Sequence, residues 1–282
     1  MTPARRRARV TWMRETFQVD VRRACRLAGF SKSAWYKTST AKDQMTLRMR
    51  IREIAMARPR FGYLRIHVML RREGWRLGKN RVYRLYCLEG LQVRMRVRRR
   101  KHVAVQRGTA PVLTGVHQRW SMDFVHDQLL DGRKFRVLTV VDQWSRQSAI
   151  LEARFSFTGK DVVAALERVR ETGGLPDSIT VDHGTEFMSR AVEAWAFYRG
   201  VKRDVTRPGK PTDNAHIESF IGRGRDACLN GHQFLSLTHV QQQLDTWRTD
   251  SNTIRPHSSL GHLTPSEYAA PGQQNRSKTG IL

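Results

Sequence analysis

The sequence predicts an α/β protein in which a basic, all-helical stretch precedes a mixed five-stranded sheet with helices on its faces. Three observations predict it. Charge is divided unevenly: residues 1–107 hold 30 basic and 6 acidic residues, whereas residues 108–282 hold 21 and 19. The first stretch carries only helical periodicity, broken by short glycine turns. The second opens with three strand-like runs and then alternates helical and strand-like runs, which suits a mixed sheet covered by helices.

The elements follow in order. In residues 1–40, Ala24, Leu27 and Ala28 recur at helical spacing, Gly29 supplies a turn, and Ser31 can cap a second helix carrying Ala34, Trp35 and Tyr36. Helix, glycine turn, cap and second helix form a helix-turn-helix pattern. Residues 41–98 predict three more helices. Ile51, Ile54 and Ala55 mark one that breaks before Pro59; Tyr63 to Leu70 mark the next, ending near Gly74; Asn80 to Leu88 mark the third, ending at Gly90. Arg65, Arg81 and Arg84 fall on their polar faces and are candidate phosphate contacts, as is Lys32 in the first pattern. A basic run from Arg94 to Lys101, including Arg98, Arg99 and Arg100, leads into a linker over residues 99–114 and is placed to track phosphates.

Residues 115–275 form the predicted core, followed by a tail over 276–282. Strands are expected at Trp120–Val125, Phe135–Val141, Ser148–Phe155, Ser178–Val181 and Lys202–Thr206. Helices are expected at Gly159–Glu171, Phe187–Tyr198, Ile217–Leu229 and Thr238–Asp250.

Composition narrows the function classes. The net charge of +26 is concentrated in the first 107 residues and points to a polyanion, above all nucleic acid. Three cysteines far apart exclude a disulfide scaffold and a cysteine-based zinc site, and suggest a reducing cytoplasm. No apolar run reaches the roughly 20 residues that span a bilayer, so no membrane role is expected.

Three carboxylates stand where a structural role is least expected. Asp123 lies inside an apolar strand, Asp182 directly follows one, and Glu218 opens a helical stretch after the turn-rich residues 208–214. A carboxylate inside an apolar strand must be paired, protonated or metal-bound. Three from separate elements converge readily at strand ends, and such oxygen clusters suit Mg²⁺ or Mn²⁺. Two hard cations sharing carboxylates are the usual machinery of phosphodiester chemistry.

The blocks around these residues are Trp120-Ser-Met-Asp-Phe-Val125, Val181-Asp-His-Gly-Thr-Glu-Phe187 and Asp213-Asn-Ala-His-Ile-Glu-Ser-Phe220, with 35 residues between Asp182 and Glu218. Together they resemble DDE transposases and retroviral integrases of the DD35E spacing. Asn252-x-x-Arg-Pro-His-Ser-Ser-Leu-Gly261 and, upstream, Phe61-Gly-Tyr-x-Arg-Ile-His67 and Arg81-Val-Tyr-Arg-Leu-Tyr86 are similar to bacterial insertion-sequence transposases of the IS-three type. The resemblance covers about residues 20–270.

It implies an RNase H-like core in which Asp123, Asp182 and Glu218 hold two Mg²⁺ or Mn²⁺ ions. It also implies an enzyme that binds terminal inverted repeats, nicks the element ends and joins them to target DNA, acting as a homo-multimer in the bacterial cytoplasm at the nucleoid. Arg225, seven residues after Glu218, would contact DNA near the scissile phosphate, with Asn214 and His183 as further contacts. His183 stands where Asn is common in the family, and Ala227 where an acid is common; neither belongs to the triad. In this family the chain is often a second reading frame fused by frameshifting to a short first product, and an upstream partner of that kind is expected here.

Overall fold

The computed structural model describes residues 3–37, 44–93, 112–207 and 214–270. Residues 1–47 and 48–282 form two compact units.

In the first unit, helices α1 (Pro3–Phe17), α2 (Val21–Leu27) and α3 (Lys32–Tyr36) close around Val10, Ala24, Cys25 and Ala28. The helix-turn-helix pattern is present as the sequence predicts. Asp20 caps α2, Gly29 adopts φ +59° in the turn, and the Ser31 hydroxyl accepts from the Ala34 N–H at 3.1 Å. Helix α1 is an addition. Its apolar positions are sparse among five arginines, so no amphipathic stripe announces it.

The second unit contains most of α4 (Met45–Ala57), with α5 (Tyr63–Arg72) and α6 (Lys79–Leu88). Ile51, Ile54, Ile66, Leu70, Val82 and Leu85 are buried, each at the positions that helical spacing assigns inward. Glycines at positive φ, Gly74 and Gly90, follow α5 and α6, where a left-handed residue costs little only without a Cβ. These helices join the sheet domain through ion pairs: Arg58 with Asp250, Arg60 with Asp226, and Arg72 with Glu267.

The sheet has order β3-β2-β1-β4-β5, with β1 (Arg119–Gln128), β2 (Lys134–Asp142), β3 (Ser148–Arg154), β4 (Ser178–Val181) and β5 (Lys202–Val205). The first three strands form an antiparallel meander, and β4 and β5 add to β1 in parallel. This is the expected mixed sheet.

Side-chain alternation along β1 divides the core. Trp120 and Met122 pack with Leu166, Val192 and Trp195 of α7 (Gly159–Gly173) and α8 (Arg190–Arg199). Val125 faces the other way, toward Phe220, Leu244 and Trp247 of α9 (Ala215–Ala227) and α10 (Leu237–Thr253). A short α11 (Pro265–Ala269) closes the described chain.

Several predicted boundaries move, such as β1, which runs on to Gln128, and α10, which runs on to Thr253; two moves lie beside the candidate site. The helix expected from Phe187 begins at Arg190, because Ser189 caps it and Phe187 is instead a fully buried turn residue. The helix expected from Ile217 starts two residues earlier, placing Glu218 in its first turn.

Candidate active site

The register of the central strands sets up the site. Strands β1 and β4 run parallel, with Trp120 beside Ile179 and Ser121 beside Thr180. Continued two residues, that register carries Asp123 to the level of Asp182, which directly follows β4. Asp123 shares a face with Ser121 and Val125, the face covered by α9. Glu218, in the first turn of α9, therefore approaches the same point from above.

The charges of the three carboxylates act on one another. Asp123 is half-buried, and its carboxyl is pushed up to about 6. Desolvation is the largest cause. The charges of Asp182 and Glu218 raise it further, while the Phe124 N–H, donating to Asp123 Oδ1 at 2.7 Å, pulls the other way. Asp182 and Glu218 are exposed. Among the described residues, no three His, Cys, Asp or Glu side chains close into a coordination sphere. The three carboxylates nonetheless offer only oxygen donors and act on one another, and Asp123 is held away from water. That chemistry fits hard divalent cations, which would relieve the repulsion on Asp123.

The loop after β4 is built to hold Asp182. Its Oδ1 accepts from the Gly184 N–H at 2.9 Å. A Cβ on Gly184 would stand 3.0 Å from that same oxygen and 3.4 Å from the Phe187 ring. Phe187 stacks on Phe124, the neighbour of Asp123, with ring centroids 4.7 Å apart and planes at 5°. Glu186 pairs with Arg136 of β2, which holds its carboxyl below the usual range. Glu186, Arg136 and Gly184 went unassigned in the sequence; the Gly-Thr-Glu-Phe run beside Asp182 was the signal.

The other expected contacts are dispersed. Arg225 lies two turns along α9 from Glu218, and its Nη2 donates to the His126 carbonyl on β1 at 2.9 Å. Asn214, just before α9, is buried, and its Oδ1 has no hydrogen-bond partner among the described residues. His183 is exposed beside Asp182. Arg81 and Arg84 are exposed on α6, whereas Arg65 on α5 is half-buried. Lys32 is exposed on α3, in the first unit. Arg98, Arg99 and Arg100 lie outside the described residues, as do most of the 99–114 linker and the 276–282 tail. Among the described residues, no helix is long and apolar enough to cross a membrane.

Comparison with known proteins gives the same picture. Integrase core domain models match residues 114–211 and 199–265, and an HTH-like domain model matches residues 42–101. The HTH-like match thus falls on α4–α6, not on the α2–α3 pattern. The chain is 41% identical to the insertion element IS407 uncharacterized 31.7 kDa protein of Burkholderia multivorans, covering 92% of this chain and 93% of that protein. It is 21% identical to the transposase InsF for insertion sequence IS3A of Escherichia coli, covering 89% and 94%. A chain in the cryo-EM structure of a simian T-cell lymphotropic virus intasome with PP2A regulatory subunit B56 gamma shares the fold. There the TM-score is 0.50 at 13% identity, covering 79% of this chain and 75% of that one. The core fold is RNase H-like.

Proposed function

The chain belongs to the family of insertion-sequence transposases that carry an integrase core, and on that premise we propose that it binds its element's terminal inverted repeats, nicks the element ends and transfers them to target DNA. The observation that carries this reading is the meeting of Asp182 and Glu218 on the half-buried Asp123 at the end of the parallel β1–β4 pair.

Asp123, Asp182 and Glu218 would hold the cations. Two Mg²⁺ or Mn²⁺ ions bound there would neutralise charge on the scissile phosphate and acidify the attacking hydroxyl. The chain's own part is placement. Asp123 rides on a central strand paired on both sides, so its position is fixed. Asp182 is tethered by the Gly184 N–H, and Glu218 is delivered by α9. No side chain need act as nucleophile. Water opens the strand at the element end, and the freed 3′-hydroxyl then attacks a phosphodiester of the target, displacing one of its oxygens.

Arg225, His183 and Asn214 would contact DNA beside the carboxylates. Lys32, Arg81, Arg84 and Arg98 to Arg100 would supply phosphate contacts that position the repeat without reading its sequence. Two or more copies would hold two element ends together.

The test is single-turnover cleavage of a duplex bearing the element end, read beside binding. Asp182→Asn should bind DNA normally yet lose about 1,000-fold in cleavage, equivalent to about 4 kcal/mol of barrier. An Asp182→Asn protein that cleaves like wild type would overturn the assignment.

A further inference from the structure

Four arginines gather beside α9, and none of them forms an ion pair with a carboxylate among the described residues, although the charges of Asp142 and Asp250 act on Arg146 and Arg255. Arg65 comes from α5, Arg146 from the β2–β3 turn, Arg223 from α9, and Arg255 from the segment after α10. Their neighbours are otherwise paired. Arg58, Arg65 and Arg255 all lie over the buried Phe61 ring, 5.5, 5.7 and 5.4 Å from its centroid. Arg58 is neutralised by Asp250; the other two are not.

Arg255 is 6% exposed, and its Nε has no hydrogen-bond partner. Among the described residues, Arg223 spends a single side-chain bond, from Nη1 to the Ser219 hydroxyl at 2.9 Å. Arg146, at φ +65°, donates to His216 Nδ1. His257, buried against the same group, donates through Nε2 to the Ser251 carbonyl at 3.1 Å.

This arrangement is costly as it stands. Arg223 and Arg255 are lowered to about 10, mainly by burial and next by the like charges of neighbours that include Arg65, while Asp250 pulls Arg255 back up. An arginine so placed stays protonated and carries five donors, most of them unused here. A group of one buried and three half-buried, mutually repelling guanidiniums is offset by an anion that accepts from several at once. The transposase reading identifies the anion: His216, which Arg146 touches, and Arg223 share one side of α9, and Glu218 lies roughly 140–160° around the helix from them, so the group faces DNA backbone flanking the carboxylates.

We propose that Arg65, Arg223 and Arg255, with Arg146 at the rim, form a clamp for a backbone phosphate of bound DNA that flanks the carboxylate site. This rests on the transposase reading and deepens it. The clamp is shared between α5, within the HTH-like match, and the integrase core, so one stretch of DNA backbone would be gripped by both.

The test uses the full chain, a fluorescein-labelled duplex of arbitrary sequence, EDTA to prevent cutting, and a titration of sodium chloride. Arg223→Gln/Arg255→Gln should reduce the slope of log affinity against log salt by about 1, the contribution of one phosphate, and Arg65→Gln should reduce it by up to about the same amount. Arg168→Gln, on α7 and paired with Glu152, serves as the control and should leave the slope unchanged. Thermal unfolding in phosphate-free buffer separates a clamp from a structural cluster. Removing repelling charges from a clamp should leave the midpoint equal or higher.

Variants that fold and keep the wild-type slope overturn the proposal, as does a double variant of lowered midpoint and unchanged slope. Should the double variant not fold, Arg65→Gln alone decides by the same slope. If inorganic phosphate raises the wild-type midpoint but not the double variant's, while the DNA slope stays fixed, the site takes free phosphate and the DNA clamp is overturned. A wild type without salt-dependent DNA binding would instead sink the transposase reading itself.

Discussion

Arg136 of β2 and Glu186 of the loop after β4 form an ion pair while the Arg136 guanidinium lies 4.0 Å from the centre of the Phe124 ring. One contact thus ties together the neighbour of Asp123 and the loop that carries Asp182. Both partners are largely shielded, with side chains 22% and 17% exposed, so breaking the pair leaves a charge short of solvent. Glu186→Gln is expected to cost about 1–3 kcal/mol of stability and to slow cleavage more than it weakens DNA binding. Chemical denaturation and single-turnover cleavage on the same preparation check both. Unchanged cleavage would show that the loop holds Asp182 without this pair.

Gly184 offers a gentler perturbation of the same carboxylate. A methyl group there would meet Asp182 Oδ1 at 3.0 Å, closer than an oxygen and a carbon tolerate, and the carboxylate would have to move by a few tenths of an ångström. Gly184→Ala is expected to keep the fold and DNA affinity but to need several-fold more Mg²⁺ for half-maximal cleavage. A Mg²⁺ titration of cleavage rate checks it, and an unshifted midpoint would mean that Asp182 has room to spare.

The residues around the triad show what was legible in the sequence. Asp123, Asp182 and Glu218 stood out because a carboxylate in or beside an apolar strand has few structural explanations. The strands were legible too, since Val137, Leu138, Val140 and Val141 are buried on both faces of a central strand and read as an unbroken apolar run. Helix α1 was not, because a helix held by Val10 and a few part-buried neighbours leaves almost no periodic trace. Arg65 read as a solvated position on a polar helix face. It is half-buried because α5 lies against the segment carrying Arg255, a packing that no local pattern records. Phe187 read as helical from its neighbours, yet the Ser189 cap starts the helix later and frees Phe187 to stack on Phe124.

Burial of His257 makes stability depend on pH. Desolvation is the larger cause and the nearby Arg223 and Arg255 add to it, lowering the imidazole to about 4. The folded chain therefore binds its proton less readily than the unfolded chain, whose histidine titrates near 6.5. Stability from this group is fully present above about 6.5 and is lost as pH falls toward 4, amounting to about 2 kcal/mol between pH 7 and pH 5. His257→Gln should unfold with a shallower pH dependence across that window. An unchanged dependence in the variant would assign it to other groups.

The central claim is that Asp123, Asp182 and Glu218 are one catalytic unit that does not itself grip DNA. Its most direct test is a cleavage and strand-transfer assay with Mg²⁺ on a labelled duplex bearing the element end, with Glu218→Gln beside the wild type. The expected result is a wild type that nicks the end and joins it to a second duplex, and a variant that does neither while binding the same duplex with unchanged affinity. A variant that still nicks, or whose loss of cleavage is matched by an equal loss of binding, would contradict it.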